Sequence, residues 1–147
     1  MLRPLFFIVP VVVAGLLIGW FNIPGAWYES LVKPGFNPPN QVFGPVWTAL
    51  YVLIGLVGWR VFDKTPDQPL RWLWILQMGL NFAWSPAFFG LQNIALALVI
   101  ILALLATLVA FSLRARSKEP ISALLFLPYI AWVAFASLLN VAIWRLN

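Results

Sequence analysis

The chain has 147 residues and a formal net charge of +5; 63% of its residues are hydrophobic and 9% are charged. A typical soluble chain carries about 25% charged residues, so there is too little polar surface here to coat a water-soluble globule. With no cysteine and no histidine, the sequence excludes disulfides, Cys or His metal centres, and thiol or imidazole catalysis. The basic residues Arg3, Lys33, Arg60, Lys64, Arg71, Arg114, Arg116, Lys118 and Arg145 sit at the ends of apolar segments or between them. No basic stripe forms, which argues against nucleic acid as a partner, whereas membrane proteins distribute their charge in this way.

A bilayer core needs about 20 apolar residues as helix. In chain order, such segments run over about 5–23, 42–62, 70–90, 94–113 and 121–145. Ile94 to Leu113 is apolar without alternation, which disfavours a membrane barrel. The expected fold is an all-α integral membrane protein, a single domain spanning 1–147 and bundling five transmembrane helices. The first segment is not read as a cleaved signal, because Trp20-Phe21-Asn22-Ile23-Pro24 is bulky where small residues are required.

The first connection, 24–41, is long and rich in Pro and Gly, and it carries Trp27, Tyr28 and Phe36. It reads as an ordered loop over the bundle. Residues 63–69 read as a polar turn, 91–93 as a tight turn and 114–120 as a basic turn. With five crossings, the N-terminus and the second and fourth loops share a side that holds most of the Lys and Arg. The positive-inside rule then places the N-terminus in the cytoplasm of a bacterial-type cell and the first loop and C-terminus outside. Glu29, Asp63, Asp67 and Glu119 all lie in connections; a membrane without buried carboxylates argues against a proton-coupled pump.

Polar groups inside hydrocarbon are costly and need a partner. Gln77, Asn81, Trp84 and Ser85 fall at i, i+4, i+7 and i+8, one face of the third helix, which Phe88 extends. That stripe suits either hydrogen bonds between helices or contact with a ligand. Trp47 and Tyr51 share a face of the second helix; Tyr129, Trp132, Ala136 and Asn140 form a stripe on the fifth with Leu139 beside it. Large aromatics with a few polar atoms are the usual lining for a flat apolar ligand. Trp20, Trp59, Trp72, Trp74 and Trp144 lie near helix ends, where an interfacial belt is expected. Gly15 with Gly19, and Gly79 with Ala83, are small-xxx-small pairs that permit close helix contact.

These residues carry a resemblance. Trp27-Tyr28-Glu29-Ser30-Leu31-Val32-Lys33-Pro34 with Pro38-Pro39, and Pro45-Val46-Trp47-Thr48-Ala49-Leu50-Tyr51, are two of its stretches. Gln77 through Asn81 to Trp84-Ser85-Pro86 with Phe88-Phe89 is the third; Pro128-Tyr129-Ile130-Ala131-Trp132 through Ala136 to Asn140 and Trp144-Arg145 is the fourth. In order and spacing the chain resembles the TspO/MBR family of tryptophan-rich sensory proteins and translocator proteins. The resemblance implies a pocket for porphyrins such as protoporphyrin IX, haem, sterols and benzodiazepine-type ligands among five helices beneath the first loop. By position it assigns Trp27, Tyr28, Trp47, Tyr51, Gln77, Asn81, Trp84, Phe88, Trp132, Ala136 and Leu139 to that pocket. It also aligns Trp47 and Trp132 with tryptophans implicated in light-driven porphyrin degradation, and it implies a homodimer.

The chain departs from the family's sterol pattern at the end of the fifth helix: Leu138 and Arg145 are present, but Val141 stands where that pattern has Tyr. Without His or Cys, haem would lack its usual axial ligands, so stacking of a metal-free macrocycle asks less of the sequence. Lys33 is a candidate partner for a propionate. The expected function is a membrane receptor or regulator that binds tetrapyrroles and similar hydrophobic small molecules, with no cofactor required. A porphyrin-degrading enzyme using tryptophan redox chemistry, and a tetrapyrrole or lipid transporter, are the alternatives.

Overall fold

A computed structural model gives the architecture and describes residues 3–147. The described residues form helices and connections, with no strand. The helices are α1 (Leu5–Phe21), α2 (Ala26–Ser30), α3 (Asn40–Lys64), α4 (Gln68–Ser85), α5 (Ile94–Lys118), α6 (Pro120–Leu125) and α7 (Leu127–Leu146), with a π-helical turn over Pro86–Gly90. A single turn residue, Phe126, separates α6 from α7, so Pro120–Leu146 is one nearly continuous rod. That rod, α3 and α5 are each long and apolar enough to cross a membrane. The apolar α1 is shorter, at 17 residues. Arg71, Gln77, Asn81 and the tryptophans dilute the hydropathy of α4, which the π-helical turn extends.

The expected basic turn at 114–120 is mostly helix. Alpha5 continues through Arg114, Arg116 and Lys118 and stops only before Glu119 and Pro120. Arg and Lys are good helix formers, their charge suits a helix C-terminus, and their long stems let the heads leave hydrocarbon.

Alpha1 packs along α3, α4 along α5, and α5 along the α6–α7 rod. Glycines set how closely the first pair approaches. A Cβ at Gly15 would overlap the Tyr51 ring, and one at Gly55 would fall 2.5 Å from Ile8 Cα. Gly15 of the small-xxx-small pair is therefore spent inside the chain, while Gly19 faces open space. The centre holds fully buried Ile54, Val57, Leu104, Phe111, Phe126 and Tyr129. Leu16, Ile75, Val99, Leu113 and Leu138 point outward. For a water-soluble protein that coat would be a liability; against acyl chains it costs nothing.

The two ends of the bundle differ. One collects every ion pair that joins separate segments among the described residues. Arg3 meets Asp63 at 3.1 Å, Arg114 grips Asp67 at 2.7 and 2.9 Å, and Arg60 grips Glu119 at 2.6 and 3.1 Å. The two carboxylates also cap helices, Asp67 accepting from Leu70 N–H at 2.9 Å and Glu119 from Ser122 N–H at 2.8 Å. At the other end lie the first loop, the turn before α5 and the C-terminus. There the Asn147 side-chain amide both accepts from Val32 N–H at 3.0 Å and donates to Val32 C=O at 2.9 Å.

Candidate ligand site

The stripe on α4 is the backbone of the site. Its 3.6-residue period turns Gln77, Asn81 and Trp84 inward, and Gln77 and Asn81 are buried. Their partners are on other helices. Tyr129 Oη of α7 donates to Gln77 Oε1 at 2.9 Å and accepts from Asn81 Nδ2 at 2.5 Å; Tyr51 Oη of α3 donates to Asn81 Oδ1 at 3.4 Å. One turn on, Trp84 Nε1 donates to Asn140 Oδ1 at 3.0 Å, and Asn140 Nδ2 donates to Ile94 C=O at 3.2 Å. Four rods are thereby tied together by side-chain hydrogen bonds. Of the two readings of the stripe, the bond between helices is realised at Gln77 Oε1, Asn81 and Trp84.

Aromatic rings divide into two groups around this chain of bonds. In the bundle, Trp47 lies 5.6 Å from Tyr51 and 6.5 Å from Tyr129, centroid to centroid. Beneath the first loop, Phe88 is surrounded by Trp27 at 5.7 Å, Tyr28 at 6.2 Å and Trp84 at 5.0 Å, the last nearly parallel. Trp27 and Tyr28 belong to α2, so that short helix is the piece of the loop that covers the bundle. Trp84, whose ring pairs with Phe88 and Phe89, also packs against the main core of the bundle. Trp132 stands to one side, 5.8 Å from Phe43 and 5.6 Å from Phe135. Ala136 is half-buried and Leu139 is buried on the same helix.

Two donors in the site are unspent. Trp132 Nε1 is buried without a partner, and Gln77 Nε2 reaches only the thioether of Met78, at 3.6 Å, a weak acceptor. Lys33, by contrast, is occupied: its ammonium lies 4.4 Å over the Tyr28 ring and donates to the carbonyls of Glu29 and Leu31. No carboxylate joins these groups, so the arrangement offers stacking faces, amides and hydroxyls rather than acid–base chemistry.

Three residues outside the assigned set prove central: Tyr129 and Asn140, which hold the α4 stripe, and Phe89, 5.5 Å from Tyr28. Tyr129 and Asn140 were legible as members of the stripe on the fifth helix, but their α4 partners were not. Trp74 departs from the expected belt. It is buried at 9% exposure, donates to Ile54 C=O at 3.1 Å and packs on Gly58, Phe7 and Phe62. Trp20 and Trp72, at 73% and 66% exposed, do face outward.

The model of the TspO/MBR family matches residues 6–145. The "Tryptophan-rich protein TspO" of Archaeoglobus fulgidus is 45% identical over 125 residues, covering 82% of this chain and 80% of its own. "Protein CrtK" of Rhodobacter capsulatus is 38% identical over 128 residues, 84% of this chain and 80% of its own. The human "Translocator protein" is 38% identical over 127 residues, 82% of this chain and 75% of its own. Matched along nearly its whole length and built from helices coated with apolar side chains, this chain belongs to the TspO/MBR family of membrane proteins.

Proposed function

We propose that the protein is a membrane receptor or regulator that takes a tetrapyrrole, such as protoporphyrin IX or haem, or a similar hydrophobic small molecule. The ligand would lie among five membrane-crossing helices, beneath α2. The observation that carries the reading is the ring cluster beneath α2, where Trp84 lies nearly parallel to Phe88 at 5.0 Å and Trp27, Tyr28 and Phe89 close around that pair. A flat macrocycle inserted at Trp84 would stack on these rings. The unspent donors on Gln77 and Trp132 suit its polar edge. With no His or Cys in the chain, a metal-free macrocycle fits the side chains better than haem. The rings pack on one another, so entry requires α2 to lift from Phe88 and Phe89.

The membrane is the cytoplasmic one in this reading, with the N-terminus inside and the C-terminus outside, and two copies associate. Titration of purified protein in detergent with protoporphyrin IX, followed by tryptophan fluorescence, tests the proposal. Saturable quenching that Trp84→Phe weakens is expected; linear, non-saturating quenching would overturn it.

The catalytic reading rests on a separate feature. Trp47 and Trp132, each within 6 Å of another aromatic ring, are oxidisable side chains beside the proposed ligand. Illumination under air would then convert bound porphyrin into a new absorbing product. That product should vanish in Trp47→Phe or Trp132→Phe; bleaching at the wild-type rate in both variants would remove the reading.

A further inference from the structure

A groove of about 730 Å³ opens on the outer wall at the basic end, between α4 and α5, remote from the rings just described. Its α4 wall is Pro69, Trp72, Leu73 and Leu76, and its α5 wall is Ala110, Leu113, Arg114, Ser117 and Lys118. Both sets follow the 3–4 residue spacing of one helical face, so two stripes confront each other. Polarity along the groove is graded. Leu76 and Ala110 lie toward the middle of the bundle, whereas Arg114, Ser117 and Lys118 lie at the end that carries the ion pairs. From Leu76 to Pro69 the groove runs about 10 Å along the helix axis.

The cations at its mouth are not used up. Arg114 spends two N–H groups on Asp67 and is 41% exposed. A guanidinium has five N–H donors, so three remain, and the pairing with Asp67 holds the group in place. Lys118 is exposed and has no ion pair among the described residues. The Trp72 ring lies open beside them, where an aromatic favours the interface. The surroundings reinforce the sign: Arg3, Arg60, Lys64, Arg71, Arg114, Arg116 and Lys118 share this end with only Asp63, Asp67 and Glu119.

We propose that this groove is a binding site for an anionic phospholipid, whose phosphate meets Lys118 and the free edge of Arg114 while an acyl chain runs down past Trp72 toward Leu76 and Ala110. The occupant is an amphiphile because the groove is apolar at one end and cationic at the other, with the cations where headgroups lie. It is anionic because the unpaired charge is positive. The site is independent of the ligand proposed between the helices.

Native mass spectrometry of the full chain in neutral detergent tests it, with phosphatidylglycerol, phosphatidylcholine of the same acyl chains, and glycerol phosphate. Phosphatidylglycerol should stay bound under activation that strips phosphatidylcholine. Lys118→Gln should weaken it about fivefold, the ratio set by about 1 kcal/mol per surface cation. Ala110→Phe fills the groove from an exposed position without touching charge and should weaken it as much or more, with Tm unchanged. Lys33→Gln, at the opposite end, should leave lipid retention unchanged, and protoporphyrin quenching should be the same in Lys118→Gln and Ala110→Phe as in the wild type. Equal retention of both lipids would overturn the proposal, as would full binding in Ala110→Phe. Competition by glycerol phosphate as strong as by the lipid, or a dimer that Ala110→Phe dissociates, would overturn it too, by assigning the groove to a free phosphate or a second copy.

Discussion

Tyr129→Phe separates the two uses of the α4 stripe. The hydroxyl is fully buried, donates to Gln77 and accepts from Asn81, so its removal deletes two bonds and orphans an acceptor and a donor. In water-excluded surroundings each orphaned group costs about 1–3 kcal/mol. Hydrogen bonds between membrane helices measure lower, about 0.6 kcal/mol on average and about 1.7 at most, because the unfolded chain in the membrane also finds partners. Tyr51 bonds only Asn81 Oδ1, so Gln77 Oε1 and Asn81 Nδ2 each lose their one partner. The lower scale applies, and a loss of about 1–2 kcal/mol is expected. Phe fills the same space, so no cavity is added. Reversible unfolding in mixed micelles reads the loss, and protoporphyrin quenching reads the consequence for binding. If the bonds serve the bundle, stability falls while affinity holds or rises, since Gln77 is released to the ligand. A variant as stable as wild type, within about 0.3 kcal/mol, would show that the bonds contribute nothing and refute the reasoning.

Gly15→Leu should lower Tm by several degrees, because overpacking against the Tyr51 ring costs about 1–3 kcal/mol. Gly19→Ala, with nothing within 4 Å, should leave it unchanged. Trp74→Phe loses the bond to Ile54 C=O and part of a buried ring, a cost of about 1–2 kcal/mol by chemical denaturation, whereas Trp72→Phe should be neutral. Acid should weaken the basic end. Burial acts to raise the Glu119 carboxyl, but hydrogen bonds from Arg60 and Ser122 outweigh it and hold the group below its ordinary value; the Arg114 guanidinium does the same for Asp67. A carboxylate depressed in the folded state contributes stability that is complete above its unfolded pKa of about 4 and is lost as pH falls through the lower folded value. Tm should therefore be flat from pH 7 to about 5 and drop below about 4, with a shallower drop in Glu119→Gln.

Much of the fold was legible because lipid imposes a length on helices, and long apolar runs such as Ile94 to Leu113 have no other reading. The ends were harder. The Arg114, Arg116 and Lys118 run reads as a loop by charge, yet those residues continue a helix well, and only Pro120 stops it. Alpha2 has five residues and no helical period to detect; its order comes from the contacts of Tyr28 with Phe88 and Phe89. Trp72 and Trp74 show what position along a helix omits. Two residues apart, they point to opposite sides, one outward and one into Gly58. The α4 stripe was visible from its period, but period fixes a face, and only the packing of α7 supplied Tyr129 as the partner of that face.

That partner constrains how any ligand can bind. Apolar burial does not drive helices together in lipid, where tails are as apolar as Leu, so glycine contacts and polar pairs carry the specificity of the bundle. The Tyr129–Gln77–Asn81 chain is one such pair of bonds, and Trp84–Asn140 is another. A ligand that took the acceptor of Gln77 or the amide of Asn81 would have to offset the bonds it broke, and tight binding would come with a loosened bundle. Trp132 Nε1 and Gln77 Nε2 carry no such cost, because neither is engaged by a strong acceptor. On the proposed reading, the ligands selected are flat molecules with acceptors at the rim, which stack at Trp84 and meet those two donors while the bonds between helices stay closed. A porphyrin bearing propionates satisfies that description, and its dimethyl ester keeps the acceptors while losing the charge. If the two donors set affinity, the ester should bind nearly as well as the free acid; if Lys33 sets it, the ester should bind far more weakly.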